Sequence, residues 1–198
     1  MNSFAKLARQ VMFVALLAAF LGLAAGCAAV GAVLDDLIGE ETTAASPADS
    51  EVTVVRVVDG DTVEVSPRVE GIGDVRLIGV DTPEPYASGT PEPLAAEASD
   101  FARENLEGRD VTLEFDEESV DSYGRLLAYV YAGKEMFNET LLREGYAQVA
   151  TFPPNTRYVE RFEAAQDEAR EAERGIWTLP ENEACRLRDR GNGIGGGC

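Results

Sequence analysis

The chain runs to 198 residues without a single histidine, and lysine occurs only at Lys6 and Lys134. The missing histidine excludes Ser-His and Cys-His nucleophile arrangements, histidine general bases and histidine-ligated zinc. Any hydrolytic chemistry must therefore run on carboxylates, arginines and a metal held by oxygen. Scarce lysine meets an excess of acid: 36 Asp and Glu stand against 17 Lys and Arg, a formal charge of −19. Removal of residues 1–26 would take away two cations and no acid, so 36 acids would face 15 cations, a net of −21. Acidic, lysine-poor surfaces stay hydrated in concentrated salt, where the screening length falls to about 3 Å at 1 M. A salt-rich habitat is the expectation.

Long apolar runs are confined to the N-terminus. Lys6 and Arg9 precede an apolar stretch over residues 11–23, followed by Ala24-Ala25-Gly26 and then Cys27. This is the pattern of an export signal. The segment Leu23-Ala24-Ala25-Gly26-Cys27 is similar to a lipoprotein signal box, with leucine four rather than three residues before the cysteine. Two alternatives follow: acylation of Cys27 after cleavage, or an uncleaved membrane helix, because residues 11–34 are uncharged and about 20 apolar residues span a bilayer. Both put the remaining chain outside the cytoplasm, tethered to the membrane. Residues 35–50 are acidic and rich in Ala, Thr, Ser and Pro with no sustained apolar period, which reads as a linker. In such a compartment the remaining cysteines, Cys185 and Cys198, are candidates for a disulfide, with two unpaired thiols in a frayed tail as the alternative. The expected organisation is a signal peptide with lipobox (1–26), a lipid-anchored acidic linker (27–50), one folded domain (51–178) and a Gly-rich tail (179–198).

With 45% hydrophobic residues the domain can bury one sizeable core. β-Branched residues flank Asp59-Gly60 at 52–58 and 62–65, which predicts a β-hairpin. A third strand is expected at 75–80, ended by Pro83 and Pro85. Residues 94–106 carry apolar positions at helical spacing with Gly108 as the stop, 111–115 and 126–131 alternate as strands, 137–146 reads as a short helix, and 158–174 as an amphipathic helix. Five strands, one helix between the third and fourth and two after the fifth, fit a small closed barrel packed by three α-helices on one side.

Three short segments concentrate the chemistry: Asp59-Gly60-Asp61-Thr62, residues 75–84 (Val-Arg-Leu-Ile-Gly-Val-Asp-Thr-Pro-Glu) and Asp121-Ser122-Tyr123-Gly124-Arg125. Phosphoryl transfer requires a metal on a non-bridging oxygen, an aimed water and neutralisation of growing negative charge. Asp61 and Asp81 suit a hard cation such as calcium, which takes carboxylate, carbonyl and water oxygens. Glu84, with its backbone restricted by Pro83 and Pro85, suits the water. Arg76 and Arg125 suit the charge, because guanidinium grips two phosphate oxygens with a planar fork and never loses its proton.

The order and spacing of these segments resemble the thermonuclease (staphylococcal nuclease-like) family over residues 51–178. The likeness continues through Leu126-Leu127-Ala128-Tyr129-Val130-Tyr131, residues 138–147 and Gly175-Ile176-Trp177. It implies an OB-fold barrel and a calcium-dependent endonuclease that hydrolyses DNA and RNA to 3′-phosphorylated products; with the N-terminal pattern, the expected enzyme is extracytoplasmic. It also implies a Ca²⁺ site of Asp61, Asp81 and the Thr82 carbonyl, catalytic Arg76, Glu84 and Arg125, and a nucleotide contact at Tyr123. Ser122 and Thr151-Phe152-Pro153 stand where secreted relatives carry a lysine and two tyrosines that touch nucleotide, so affinity and base preference are open. A monomer is expected. The rival reading is a non-catalytic OB-fold nucleic-acid-binding lipoprotein, since some barrels of this family have lost their acids and kept the fold. The acidic charge is awkward for a nuclease, because a polyanion is normally met by a basic patch and lysine here is scarce. Asp189-Arg190-Gly191-Asn192-Gly193 has too few acids for a calcium loop and is expected to be a disordered tail.

Overall fold

A computed structural model describes residues 49–85 and 89–198. The expected signal peptide, the acylated Cys27 or membrane helix, and the linker up to residue 48 lie outside the described residues. Among the described residues, no helix is long and apolar enough to cross a membrane.

β1 (Ser50–Val57), β2 (Thr62–Val69), β3 (Ile72–Leu77), β5 (Asp110–Glu114) and β6 (Leu126–Ala132) form the barrel. Neighbours follow the order β3-β2-β1-β5-β6, and a parallel pairing of β3 with β6 closes it. Strand alternation decides which side chains enter. Val52 and Val54 of β1, Val63 and Val65 of β2, and Val75 and Leu77 of β3 point inward and are buried. A bulge between Val54 and Arg56 shifts the phase of β1, so that Val57 returns to the core while Arg56 stays outside. The same alternation turns Arg76, between Val75 and Leu77, to the outer face.

The third strand expected at 75–80 is in fact two. The chain leaves the barrel at Ile78 and runs on as β4 (Gly79–Asp81), which pairs antiparallel with β8 (Gln148–Ala150) in a separate two-stranded sheet. Gly79 permits this break: its φ is +78°, and a Cβ there would lie 2.5 Å from the Phe162 ring. Asn138, fully buried, secures the junction by donating to the Ile78 carbonyl (2.8 Å) and accepting from the Val130 N–H (2.9 Å). A further two-residue strand, β7 (Glu135–Met136), extends β6.

Three helices pack on the barrel: α1 (Ala95–Leu106), α2 (Phe137–Arg143) and α3 (Val159–Glu171). Each buries the face predicted by its spacing, with Ala98, Ala102 and Leu106 inward on α1 and Phe162, Ala165 and Ala169 inward on α3. A 3₁₀ turn (Gly175–Thr178) and a single-turn helix, α4 (Glu181–Ala184), follow.

The tail departs from the disordered segment expected. Leu187 is 2% exposed, the Arg186 guanidinium donates to the Pro91 carbonyl (2.8 Å), and Gln148 Nε2 donates to the Arg188 carbonyl (3.0 Å). Asn192 Nδ2 donates to the Val149 carbonyl (2.9 Å), and a disulfide joins Cys185 to Cys198 with Cα atoms 5.1 Å apart. One buried leucine, a covalent link and hydrogen bonds exchanged with β8, one accepted by the Arg188 carbonyl and one donated by the Asn192 amide, order this segment despite its glycines.

Candidate active site

One rim of the barrel gathers four carboxylates and four arginines. Asp59 and Asp61 come from the β1–β2 turn, Asp81 ends β4, and Glu84 follows it; Arg76 faces outward from β3, Arg125 precedes β6, and Arg188 and Arg190 arrive from the tail.

Asp61 is the centre of the turn. One of its carboxylate oxygens accepts from the Thr82 N–H (2.7 Å) and Thr82 Oγ1 (3.0 Å), and the other pairs with Arg76. Its own N–H donates to Asp59 Oδ1 (3.1 Å). A Cβ at position 60 would stand 2.7 Å from the Thr82 side chain, so only glycine lets the turn approach residues 81–82. Asp81 accepts from Arg76 Nη2 (3.1 Å) on one oxygen and from Arg190 Nε (2.8 Å) on the other. Both carboxylates are 3% exposed.

Glu84 is held through its backbone: its N–H donates to Glu92 Oε2 (2.9 Å), and its carbonyl accepts from the Glu92 N–H (3.1 Å). Its carboxylate lies 3.8 Å from Arg188 Nη2. Burial pushes the Glu84 carboxyl up from its ordinary value, and the Asp59 carboxylate adds to this while Arg188 opposes it. Burial also raises Asp59, against the pull of Arg76. The Arg76 guanidinium is drawn down by burial and supported chiefly by Asp81 and Asp59.

Arg125 reaches the rim through the closure of the barrel. The parallel register sets Leu126 against Val75 and Leu127 against Arg76, so Arg125, immediately before β6, lies two positions from the level of Arg76. Its Nε and Nη2 bind Asp121 Oδ2 (2.8 and 2.7 Å), while Asp121 Oδ1 accepts the N–H groups of Tyr123 and Arg125. Arg125 makes no hydrogen bond to the acid cluster among the described residues, but its charge acts on Asp59 and Arg76. Tyr123 is 84% exposed, with the Arg125 guanidinium 5.4 Å from its ring centre.

Asp61, Arg76, Asp81, Thr82 and Glu84 are thus brought together directly or through the tail arginines, with Arg125 and Tyr123 on the adjoining turn. Cys185 and Cys198 are joined in the tail. The pattern reading missed four residues that the fold adds: Asp59, Glu92, Arg188 and Arg190. Asp59 was visible as part of Asp-Gly-Asp but reads as a turn residue, and nothing periodic marks the other three.

Asp61, Asp81 and the Thr82 carbonyl offer oxygen donors only, which suits a hard divalent cation and not a thiophilic one. The two buried carboxylates carry a charge that guanidinium groups balance here, the compensation such an ion would also provide. Among the described residues no three carboxylates form a metal cage by themselves, so carbonyl and water oxygens would complete the shell.

Comparison with known proteins identifies the family. The family model described as "Staphylococcal nuclease homologue" matches residues 74–179. The thermonuclease of Staphylococcus hyicus is 47% identical over 126 residues, covering 63% of this chain and 74% of the relative. That of Staphylococcus intermedius is 46% identical over 126 residues with the same coverage. The endonuclease YncB of Bacillus subtilis is 40% identical over 131 residues, 64% of this chain and 61% of the relative. The matched region contains Arg76, Asp81, Glu84 and Arg125 together with the β3–β6 closure that assembles them, and the chain belongs to the staphylococcal nuclease homologue family.

Proposed function

We propose that this protein is an endonuclease that hydrolyses phosphodiester bonds of DNA and RNA with calcium as cofactor, leaving 3′-phosphates. The observation that carries the proposal is the continuous network Thr82–Asp61–Arg76–Asp81 beside a carboxylate, Glu84, whose proton affinity is raised by burial. Calcium held by Asp61, Asp81 and the Thr82 carbonyl would supply Lewis-acid polarisation of a non-bridging phosphoryl oxygen. Glu84 accepts a proton from the attacking water as its oxygen bonds to phosphorus. The bond from phosphorus to the 5′ oxygen breaks, and that oxygen takes up a proton from solvent. Arg76 and Arg125 hold the equatorial oxygens, where negative charge is greatest in the transition state. Thr82 fixes the Asp61 carboxylate with two donors, so the site is organised before substrate arrives.

The N-terminal pattern and the disulfide support a location outside the cytoplasm, anchored through lipid on Cys27 or through an uncleaved helix. The chain is taken to act as a monomer on environmental nucleic acid. The test is incubation of the purified protein with plasmid and with RNA, in Ca²⁺ or in chelator, followed by end-group analysis. Calcium-dependent cutting to 3′-phosphates is expected. Binding without cutting would replace the enzyme with the non-catalytic OB-fold module.

A further inference from the structure

Polyanion binding draws on cations, and this chain has few: Lys134 is the sole lysine after Lys6. Two arginines nevertheless stand against the acid cluster, supplied by a segment that follows the matched region. We propose that residues 185–198 are a disulfide-closed loop that delivers Arg188 and Arg190 into the cleft as grips for substrate phosphates. This rests on the nuclease reading above.

Placement comes from β8. Gln148 is the cross-strand partner of Asp81, and its buried amide is satisfied by the Arg188 carbonyl. Asn192 holds the next carbonyl site at Val149, so the loop is fastened along the strand that faces β4. The disulfide and the bonds from the Gly196 N–H to the Leu187 carbonyl (2.9 Å) and from the Gly197 N–H to the Cys185 carbonyl (3.2 Å) close it on itself. Gly195, with φ +93°, would drive a Cβ to 2.5 Å from the Leu187 carbonyl, so the return path is built for glycine.

The two guanidinium groups have capacity left over. Arg190 uses Nε on Asp81, and its Nη groups make no hydrogen bond among the described residues; its guanidinium rests 5.9 Å from the centre of the exposed Phe152 ring. Arg188 stands 4.0 Å from Asp81 and 3.8 Å from Glu84, beyond hydrogen-bond reach of either, with its side chain about half exposed. A cation held by Asp61 and Asp81 would relieve Asp81 of its need for Arg190. Forks that face the reacting position with unused donors match phosphate oxygens flanking the scissile bond.

The test uses the full chain in mild detergent, with Glu84→Gln to stop cleavage, in Ca²⁺, titrated against a short single-stranded oligonucleotide by fluorescence anisotropy at several NaCl concentrations. Arg188→Gln with Arg190→Gln is expected to weaken binding about tenfold or more. The signed slope of log K against log salt should rise by about 1.4, at roughly 0.7 for each single-strand phosphate that the protein no longer neutralises. Arg188→Lys with Arg190→Lys should restore most of the slope, and Cys185→Ser with Cys198→Ser should weaken binding in the same direction with the barrel folded by circular dichroism. Unchanged affinity and slope in the double Gln variant would overturn the role of the loop. Tighter binding, or faster cleavage when the same pair is changed in the Glu84 chain, would overturn it in favour of an inhibitory strap. Because the readout is binding, it is separate from the parent reading: a wild-type chain that binds but does not cut in Ca²⁺ removes the nuclease assignment alone.

Discussion

Replacing Arg76 by alanine separates what the arginine does for the fold from what it does for the reaction. Its guanidinium binds Asp61 and Asp81, both 3% exposed, and is itself mostly buried. Breaking a buried ion pair by removing one partner costs about 3–5 kcal/mol, because the other charge stays desolvated. Here the lower end applies: Asp61 keeps the Thr82 N–H and hydroxyl, and Asp81 keeps Arg190. About 3 kcal/mol corresponds to a fall in Tm of roughly 6–12 °C for a domain of this size. A divalent cation at Asp61 and Asp81 would restore the missing charge, and at a hundred times its Kd it returns about 2.7 kcal/mol. The variant should therefore melt well below the wild type in chelator, and saturating Ca²⁺ should raise its Tm to within a few degrees of the calcium-free wild type. Turnover should stay down by about 10²–10³-fold even there, the scale for removal of one transition-state donor. Differential scanning calorimetry with and without Ca²⁺, paired with single-turnover cleavage, reads both quantities. Equal Tm values in chelator, or turnover restored together with stability, would refute the reasoning.

Glu84→Gln keeps shape and the backbone tie to Glu92 but removes the proton acceptor, so turnover should fall by about 10²-fold or more at unchanged Tm; full activity in a folded variant would exclude Glu84 from the mechanism. Glu114 predicts a pH effect on stability. Burial works to raise its carboxyl, but donors from Tyr158, Arg157 and Tyr131 outweigh it, and the folded value lies below the ordinary 4.5. The stability it contributes is full above the unfolded value and is lost as pH falls through the folded one. Glu114→Gln should therefore lower the urea midpoint at pH 7 and much less at pH 3, and an equal deficit at both would count against the carboxylate. For so acidic a chain, kcat/KM on a short oligonucleotide at fixed Ca²⁺ should hold or rise toward 1 M NaCl as repulsion is screened; a steep decline from 50 mM upward with the fold intact would remove the salt-adapted reading.

Much of the barrel was legible from local pattern. Val52, Val54, Val63, Val65, Val75 and Leu77 alternate with polar neighbours, and a period of two leaves each strand one face to bury. That alternation alone turns Arg76 outward, and the Asp-Gly-Asp turn and the Asp81-Thr82-Pro83-Glu84 segment mark the acids by type and spacing. Pairing is another matter. That β3 lies parallel to β6, setting Arg125 two positions from the level of Arg76, follows from closing the sheet over a shared core, which no window of residues records. The glycine at the Ile78–Gly79 switch into the β4–β8 sheet has no room for a side chain because of the Phe162 ring, which a helix far along the chain supplies. The tail escaped pattern reading for the same reason: glycines and a lone Leu187 carry no period, and their order comes from a disulfide and from polar groups on β8. Side-chain alternation is local and so is written in the chain. The meeting of Asp81 with Arg190, 109 positions apart, rests on contacts that exist only after the barrel has closed.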